Sequence, residues 1–330
     1  MTRTAMVGCG DVSVMHLNAI EANPDIDLVA VCDTDPGRLD AARHRPNVAG
    51  FADHRDLISR GEIEVAHIAT PHFEHARLAI DFLDAGIDVI LEKPMAHTLA
   101  VAEELQRAAD KSTARLGICF QNRYNEANLV LRRLFDSGEL GQVLGACGTV
   151  IWHRTSGYYA DRPWRATWAG GGGGLLMNQA IHTIDLLQWM MGEVTGVSGR
   201  ASLRSLGDSI EVEDTAELNL THASGAHSVF YATVAHARNA AITAEFVTES
   251  ALLRLDGDLA IEFADGRTEV ISEPKGGADG RTYWGTGHQR LIDDFHAGHG
   301  SGKPFWIDAA EAIKTIKIID AVYGQSDITR

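Results

Sequence analysis

The first 120 residues alternate between short apolar runs and helical patterns, and this alternation restricts the fold more than any other feature of the chain. Residues 4–7 are apolar and lead into Gly8, Cys9 and Gly10, after which a helical pattern runs towards Pro24. Comparable apolar runs, each preceded by a helical pattern, lie at residues 27–32, 65–69, 87–91 and 114–120. Repeated strand–helix units imply right-handed crossovers and a parallel sheet. We therefore predict an α/β N-terminal domain.

The glycine turn after the first strand favours a dinucleotide-binding role. Gly8 permits a tight turn, and Gly10 lets the backbone approach a pyrophosphate. The following helix N-terminus offers free N–H groups and a partial positive charge to the same anion. In the dinucleotide-binding pattern G-x-G-x-x-G, the third glycine position is occupied here by Ser13 instead of glycine or alanine. The alternative interpretation is a plain strand–helix turn.

Polar residues follow the other predicted strands, where ligands bind in parallel sheets. Asp33 ends the second strand, 25 positions after Gly8. Its carboxylate suits the ribose hydroxyls of NAD and repels a 2′-phosphate, although nearby Arg38 keeps NADP as an alternative. Asp33 also lies just before a predicted helix start at Pro36, which is compatible with a capping role. The predicted cofactor-binding residues are Gly8, Cys9, Gly10, Asp11, Val12, Asp33, Thr70, Pro71, His75, Glu92 and Lys93.

The second half of the chain has a different pattern. Residues 122–140 form one or two predicted helices, and residues 142–152 form a long strand. Residues 153–168, rich in aromatic side chains and arginine, are predicted to be an irregular loop, and several short strands follow between residues 194 and 271. Such a meander predicts an open, largely antiparallel sheet with one more exposed face. We predict a Rossmann domain at 1–121 and an α+β domain at 122–330, whose last helix has the option of packing back on the first.

Five consecutive glycines, residues 170–174, precede a helix with Asn178 and His182 four residues apart, and therefore on one face. Because glycine loses much entropy on ordering, the run indicates that backbone comes close to something there. Asp185 can reach the same side of the helix as His182. The alternative is a buried structural helix with a polar first turn.

Composition excludes several functional classes. The net charge of −16 argues against a nucleic-acid partner. The four cysteines form no C-x-x-C pair, and His72 and His75 have no Cys or His at a matching distance, so we expect no metal site and a reducing compartment. No apolar run approaches a membrane span, and the N-terminus shows no signal-peptide pattern. We therefore expect a cytoplasmic protein without membrane contact.

Taken together, the motifs resemble those of the Gfo/Idh/MocA oxidoreductase family, which includes glucose–fructose oxidoreductase and inositol dehydrogenase. The resemblance rests on residues 7–10 with His16, on Asp33, on Glu92-Lys93-Pro94, and on Gly172-Gly173-Gly174 leading to His182 and Ile184-Asp185-Leu186. It covers nearly the whole chain. It implies an NAD(H)- or NADP(H)-dependent enzyme acting on CH–OH groups of sugars, polyols or their derivatives. It also implies a C-terminal sheet whose exposed face makes oligomer contacts, so that a homodimer or homotetramer is expected.

By position, Lys93 matches the family's catalytic lysine and His182 its catalytic histidine. Asn178 stands where many members have a substrate-binding aspartate. Since an amide cannot act as a base, His182, with an ordinary imidazole pKa of about 6.5, is the expected proton carrier. Lys93 is expected to stabilise the developing alkoxide, and Asp185 to orient the imidazole or to cap backbone. His288 is implied to line the substrate pocket.

The aromatic and arginine residues of 153–168 suit either a partner surface or a sugar, which needs stacking and many hydrogen bonds. The residues predicted to contact substrate there are Tyr158, Tyr159, Trp164 and Arg165. Two other functions stay open from the sequence. One is an enzyme that keeps NAD tightly bound for transient oxidation, as in glycoside cleavage or epimerisation. The other is a non-catalytic, NAD-dependent sensor or repressor.

Overall fold

The structure, a computed structural model, describes residues 1–43, 47–274 and 287–328. It contains two compact units. The first comprises Met1–Gln121 and Gly276–Ile313, and the second comprises Asn122–Lys275 and Lys314–Arg330. The predicted division into two domains at residue 121 stays a prediction.

The first unit is built on a six-stranded sheet in which every neighbouring pair is parallel. Its strands are β1 (Thr2–Val7), β2 (Ile26–Cys32), β3 (Ala49–Phe51), β4 (Val65–Ile68), β5 (Asp88–Leu91) and β6 (Leu116–Ile118). Their order is β3-β2-β1-β4-β5-β6, the order of dinucleotide-binding folds. Strands β4 and β5 are buried along their whole length, as expected for a sheet covered on both faces. The predicted Rossmann architecture is confirmed.

Helices, numbered in chain order, connect these strands. They are α1 (Ser13–Ala22), α2 (Pro36–Ala42), α3 (His54–Arg60), α4 (His72–Asp84) and α5 (Leu99–Lys111), with α10 (Gly287–Ala297) contributed from later in the chain. Helix α2 begins where Asp35 accepts a hydrogen bond from the Arg38 amide at 2.9 Å, with Pro36 at its first position. Thr98 caps α5 in the same way.

The second unit is built on an eight-stranded sheet. Its strands are β7 (Val143–Ile151), β8 (Val194–Ser202), β9 (Thr215–His222), β10 (His227–Thr233), β11 (Thr243–Thr248), β12 (Ala251–Asp256), β13 (Asp258–Phe263) and β14 (Thr268–Ile271). The order is β14-β13-β12-β11-β7-β10-β9-β8, and all neighbours are antiparallel except β7 and β10. The predicted large, mostly antiparallel sheet is confirmed.

The helices of this part are α6 (Glu126–Ser137), α7 (Ser156–Ala160), α8 (Trp168–Gly171), α9 (Ile181–Met191) and α11 (Ala309–Gly324), which crosses the unit boundary at Ile313 and Lys314. A π-helical turn, Leu176–Ala180, leads directly into α9. The prediction that residues 153–168 are irregular was wrong in detail, because the segment contains α7 and a 3₁₀ turn at Pro163–Ala166. Tyr159 packs with Ile210 and Val212, which gives the segment its own small core.

One face of the second sheet packs against α9. A Cβ on Gly148 of β7 would lie 3.1–3.2 Å from atoms of Phe230, Leu187 and Thr183, so the missing side chain lets strand and helix approach closely. The opposite face carries exposed apolar side chains. Within the described ranges, no helix combines the length and the apolar character that crossing a bilayer requires.

Candidate functional site

The carboxyl ends of four neighbouring parallel strands gather the predicted cofactor residues of the first unit. The Gly8 turn follows β1, Asp33 follows β2, Thr70 follows β4, and Glu92 with Lys93 follows β5. Because parallel strands end at the same edge of a sheet, these residues share one edge, where ligands bind in such folds.

The glycine turn has the geometry that a pyrophosphate needs. Gly8 has φ +86°, and a Cβ there would lie 2.6 Å from the Ala69 carbonyl oxygen, so Gly8 allows β1 and β4 to approach. A Cβ on Gly10 would meet nothing within 4 Å, which leaves the backbone open on that side. Among the described residues no side chain caps α1, which follows directly. The residues present therefore fit a dinucleotide at this helix N-terminus.

Asp33 is held in place by the glycine turn. Its carboxylate accepts hydrogen bonds from the Cys9 amide at 2.7 Å and the Asp35 amide at 2.8 Å, and the residue is 8% exposed. Asp35, and not Asp33, caps α2. Burial, with Asp33 nearby, raises the pKa of the Cys9 thiol to about 12, so that thiol is neutral. Since a carboxylate accepts more than two hydrogen bonds, Asp33 keeps acceptor capacity for ribose hydroxyls.

His75 connects the segments that follow β4 and β5. Its Nδ1 lies 2.7 Å from the Pro94 carbonyl oxygen and its Nε2 lies 2.8 Å from that of Thr70. The ring is buried, and this burial lowers its pKa although the two carbonyls oppose the shift. Its observed contacts thus position backbone at the strand ends. The buried Oγ1 of Thr70 has no hydrogen-bond partner within the described ranges, as expected of a polar atom that faces a ligand.

Glu92 and Lys93 directly follow β5, and the Lys93–Pro94 peptide is cis. The Glu92 side chain is buried. Its Oε1 lies 3.2 Å from His16 Nε2 and 3.1 Å from His288 Nε2, and its Oε2 accepts from the Lys93 amide at 3.2 Å. Burial opposes ionisation of this carboxyl, but the hydrogen bonds from the two imidazoles outweigh it and hold the pKa of Glu92 well below its usual range. Lys93 itself is half-buried.

His288 is buried beside Glu92 in the first unit, with its Nε2 3.1 Å from Glu92 Oε1. Its predicted contact with substrate stays a prediction. Potential ligand atoms of His16, Glu92 and His288 lie within 4.8 Å of one another. Hydrogen bonding accounts for this arrangement without an ion, and the expectation of no metal site stays a prediction.

In the second unit, Asn178 and His182 lie on the accessible side of an otherwise buried helical segment. Leu176, Ile181 and Ile184 around them are buried, whereas Asn178 and His182 are half-buried. Asn178 belongs to the π-helical turn, a feature that is frequent at functional sites. Its amide donates to the Tyr158 hydroxyl at 3.1 Å, as does that of Gln179 at 3.2 Å.

Tyr158 is the centre of a polar and aromatic surface in the same unit. The guanidinium groups of Arg154 and Arg165 lie 5.1 and 4.8 Å from the centre of its ring, and Arg165 also lies 5.3 Å from the Trp164 ring. The half-buried state of Tyr158, Trp164 and Arg165 leaves them able to contact a ligand. Tyr159 differs, because it lies buried in the Ile210–Val212 cluster. Its burial favours a packing role over the predicted substrate contact.

Close packing explains part of the glycine run at residues 170–174, and the sequence did not reveal this reason. A Cβ on Gly173 would collide with the Tyr323 hydroxyl, and one on Gly174 would collide with the Glu213 carbonyl oxygen. The backbone therefore approaches Tyr323 and Glu213 of the same unit. This is a packing requirement, so the run by itself does not indicate a ligand.

Two buried acidic residues hold this segment. Glu213 accepts from the Gly174 and Leu176 amides, both at 2.8 Å, and from the Tyr323 hydroxyl at 2.7 Å. Asp185 forms a buried two-point ion pair with Arg123, at 2.8 and 2.7 Å, and also accepts from Thr315 at 3.2 Å. These contacts show Asp185 anchoring the helix. Sequence reasoning missed Glu213 and Arg123, and no local pattern marks either residue.

Comparison with known proteins identifies the family. The model described as "Oxidoreductase family, NAD-binding Rossmann fold" matches residues 2–120, and the "GFO/IDH/MocA C-terminal domain" model matches residues 129–254. This chain belongs to the Gfo/Idh/MocA oxidoreductase family. The predicted resemblance is confirmed, and so is the prediction of an NAD-binding N-terminal region.

Several members of the Gfo/Idh/MocA family are similar to this chain. D-apiose dehydrogenase of Paraburkholderia graminis is 28% identical over 82% of this chain and 72% of its own length. Inositol 2-dehydrogenase of Salmonella typhimurium is 29% identical over 58% of this chain and 55% of that protein, little more than half of its length. Among solved structures, the WlbA dehydrogenase from Bordetella pertussis, in complex with NADH and UDP-GlcNAcA, is 27% identical with a TM-score of 0.84. That alignment covers 98% of this chain and 96% of the other.

Proposed function

We propose that this Gfo/Idh/MocA member transfers a hydride between NAD and a hydroxyl carbon of a sugar, a polyol or a sugar derivative. The observation that carries the proposal is the pair Asn178 and His182, which remain accessible on a helical segment that is otherwise buried. Relatives named as apiose and inositol dehydrogenases support the substrate class. The residues at the carboxyl edge of the parallel sheet in the first unit support the choice of NAD as cofactor.

In this proposal His182 accepts the hydroxyl proton and Lys93 stabilises the negative charge that develops on the oxygen. Asn178 donates a hydrogen bond to a substrate hydroxyl and is itself positioned by Tyr158. NAD supplies the hydride acceptor, and the protein supplies geometry and electrostatics. Tyr158, Trp164 and Arg165 provide stacking surface and hydrogen bonds to a sugar ring.

The proposed cofactor contacts follow from the strand ends. Backbone at Gly8, Gly10, Asp11 and Val12 would face the pyrophosphate, and Asp33 would accept from the ribose hydroxyls and disfavour NADP. Thr70 and Pro71 lie farther along the same edge, near Lys93.

We also propose a homodimer or homotetramer. Val229, Tyr231 and Val247 are 44%, 42% and 45% exposed, and they lie on strands β10 and β11, which flank β7 in the sheet. Because large exposed apolar side chains on one sheet face mark interaction surfaces, this face is the proposed contact between copies. Sedimentation equilibrium of the wild type and of V229E/V247E tests it. A monomeric wild type would contradict this part of the proposal.

The function is tested first by binding and then by turnover. Thermal shift with NAD(H) and NADP(H) is expected to show selective stabilisation by NAD(H), since a ligand well above its Kd stabilises the folded state. A screen of sugars and polyols with NAD is then expected to find NADH formation. Nucleotide that survives purification, with no net NADH formation, would favour tightly bound NAD used for transient oxidation. Binding without any turnover would favour a sensor.

The proposed roles are tested with Lys93→Met and His182→Ala on the best substrate. Each is expected to lower kcat by at least about 100-fold, the lower end for a group that transfers a proton or stabilises the developing charge. Lys111→Met, at the exposed end of α5, is the matched control and should retain turnover. If both Lys93→Met and His182→Ala keep full turnover, the assignment of roles is wrong.

A further inference from the structure

One surface of the second unit consists mainly of hydrogen-bond donors. We call it the Tyr158 surface, and its side chains are those of Arg154, Tyr158, Trp164 and Arg165. Guanidinium and indole groups donate hydrogen bonds and accept none, so among these four side chains only the Tyr158 hydroxyl can do both. The hydrogen bonds of that hydroxyl therefore decide what the surface presents to a ligand.

The Tyr158 hydroxyl acts as a donor towards a ligand. Its oxygen accepts hydrogen bonds from Asn178 Nδ2 at 3.1 Å and from Gln179 Nε2 at 3.2 Å. A phenolic oxygen that accepts from two amides keeps its own O–H to donate. Within the described ranges no acceptor takes this proton. The hydroxyl thus adds to the donor character of the Tyr158 surface.

Arg154 is held in position by aromatic rings and neutral acceptors. Its guanidinium lies 4.7 Å from the centre of the Trp152 ring and 5.1 Å from that of the Tyr158 ring. Its Nη1 donates to the His153 carbonyl oxygen at 2.8 Å and to Asn239 Oδ1 at 3.3 Å. No carboxylate in the described part of the chain pairs with Arg154. The positive charge is therefore fixed in place, and Nη2 remains to bind a ligand.

This state of Arg154 differs from that of other arginines in the second unit. Several of them pair with a carboxylate, namely Arg123, Arg132, Arg133, Arg200, Arg254 and Arg267. The buried carboxylates of Glu213 and Asp214 accept hydrogen bonds from backbone amides instead. The protein has 45 acidic and 29 basic side chains, so acidic partners are abundant. A guanidinium that pairs with none of the described ones offers its charge to an anionic ligand.

Arg165 brings a second guanidinium to the same phenol, 4.8 Å from the centre of the Tyr158 ring. A guanidinium has five N–H donors, so its charge acts on a ligand whatever other contacts it makes. A neutral sugar hydroxyl both donates and accepts, and the Tyr158 surface offers it mainly donors. A carboxylate or a phosphate only accepts, and it gains charge-assisted hydrogen bonds from guanidinium groups. The surface therefore suits an oxyanion better than a neutral hydroxyl.

We propose that the substrate is a sugar derivative carrying a carboxylate or a phosphate group, and that Arg154, Arg165 and the Tyr158 O–H bind this oxyanion. The inference rests on the proposed function, because it specifies the substrate of the same site. Asn178 contacts Tyr158 and lies about one helical turn before His182. The oxyanion and the reacting hydroxyl therefore belong to different carbons of one small molecule.

The substrate class is tested by measuring kcat/KM with NAD on matched sugars at neutral pH. The neutral parents are D-glucose, D-galactose and D-mannose, and each is compared with its uronate and its 6-phosphate. We expect one charged series to exceed its parents by at least about tenfold, because hydrogen bonds to charged groups are the stronger ones. Faster turnover of the uronates assigns a carboxylate, and faster turnover of the 6-phosphates assigns a phosphate. Parents that match or exceed both charged series would overturn the oxyanion site and leave the proposed function in place.

The role of Arg154 is tested with Arg154→Gln on the best charged sugar. Glutamine keeps hydrogen-bonding groups and removes the charge. We expect KM to rise by at least about tenfold with kcat little changed, because the lost contact serves binding and not the chemical step. Turnover of the neutral parent and binding of NAD should stay at wild-type values. Arg154→Lys should recover part of the loss, since it restores the charge without the planar fork of donors. Equal losses on charged and neutral sugars would show a structural role and contradict the oxyanion site.

Arg133→Gln is the matched control, because it makes the same change in net charge at an exposed position of α6. It should leave the preference for charged sugars unchanged, and if Arg154→Gln behaves like it, the oxyanion site is wrong. A wild type that yields no NADH with any sugar or polyol would contradict the proposed function. Thermal shift with NADH present then decides the oxyanion site. Stabilisation by a uronate or a 6-phosphate that Arg154→Gln abolishes would support the site, and no stabilisation by either series would overturn it.

Discussion

Glu92 and Glu213 are both buried glutamates, one in each unit, yet their surroundings shift the carboxyl pKa in opposite directions. Burial raises the pKa of Glu213, and hydrogen bonds from the Leu176 and Gly174 amides and from Tyr323 offset only part of that increase. The same penalty acts on Glu92, but His16 and His288 reverse it and lower the pKa. Neutral donors thus hold Glu213 in place, whereas imidazoles keep Glu92 ionised.

The difference matches what each carboxylate does. Glu213 joins Gly174 and Leu176 to Tyr323, so its contacts fix backbone at the start of the segment that carries Asn178 and His182. Glu92 is adjacent to Lys93, and its carboxylate accepts hydrogen bonds from the His16 and His288 imidazoles. Asp185 is a third arrangement, in which a buried carboxylate is neutralised by a guanidinium.

The largest effect is expected where a buried carboxylate loses the guanidinium that pairs with it. Arg123→Met leaves Asp185 buried beside an apolar side chain, and breaking a buried ion pair in this way costs about 3–5 kcal/mol of the free energy of unfolding. Urea denaturation measures it. Arg123→Met/Asp185→Leu should recover much of the loss, because both charges are then gone.

Arg133→Met is the control for the ion pair. Arg133 lies 3.6 Å from Glu126, with its side chain 66% exposed, and such pairs contribute about 0–1 kcal/mol. Similar losses for Arg123→Met and Arg133→Met would show that Asp185 does not depend on its partner.

A smaller change in the free energy of unfolding is expected on acidification, and its sign differs between His296 in the first unit and Glu213 in the second. Burial lowers the pKa of His296 to about 4. In the unfolded chain the His296 imidazole has its ordinary pKa of about 6.5, so below that pH it binds more protons than in the folded protein. Stability present at pH 7 is therefore lost as the pH falls towards 4. For His296 alone this amounts to about 2 kcal/mol between pH 7 and pH 5.

The pH effect is measured as the free energy of unfolding of wild type and His296→Gln at pH 7 and pH 5. Glutamine keeps an N–H donor towards His67 and does not titrate, so the variant should lose less stability on acidification than wild type. Glu213 contributes in the opposite direction, since a raised carboxyl pKa costs stability as the pH rises through it. Equal pH dependence in both proteins would contradict the assignment to His296.

The smallest effect is expected from Tyr323→Phe, which removes one neutral donor from Glu213. One such hydrogen bond contributes about 1 kcal/mol. The loss should be larger at pH 7 than at pH 4.5, because the phenol stabilises the ionised carboxylate. Tyr231→Phe, on the exposed sheet face, is the matched control. A greater loss at pH 4.5 would mean that Tyr323 interacts with Glu213 in its protonated form.

Much of the fold was predictable because its signals are local. The apolar runs of β1, β2, β4 and β5 and the glycine turn at Gly8 depend on residues a few positions apart, and the structure confirms the architecture that they predict. Asp33 and Lys93 were located at strand ends by the same reasoning, although their roles stay predictions. The glycine run shows the limit, because Gly174 faces Glu213, 39 residues away.

The sequence by itself determined the two kinds of sheet and the family to which the chain belongs. It also determined which residues lie at the carboxyl edge of the parallel sheet. These follow from periodicity and short motifs, which neighbouring residues encode. Only the tertiary structure decided which buried polar groups meet. His67 and His296 are 229 residues apart and Arg123 and Asp185 are 62 apart, and nothing near either position indicates its partner. The physical reason is that a buried polar side chain must be hydrogen-bonded, but packing alone decides which partner comes within reach.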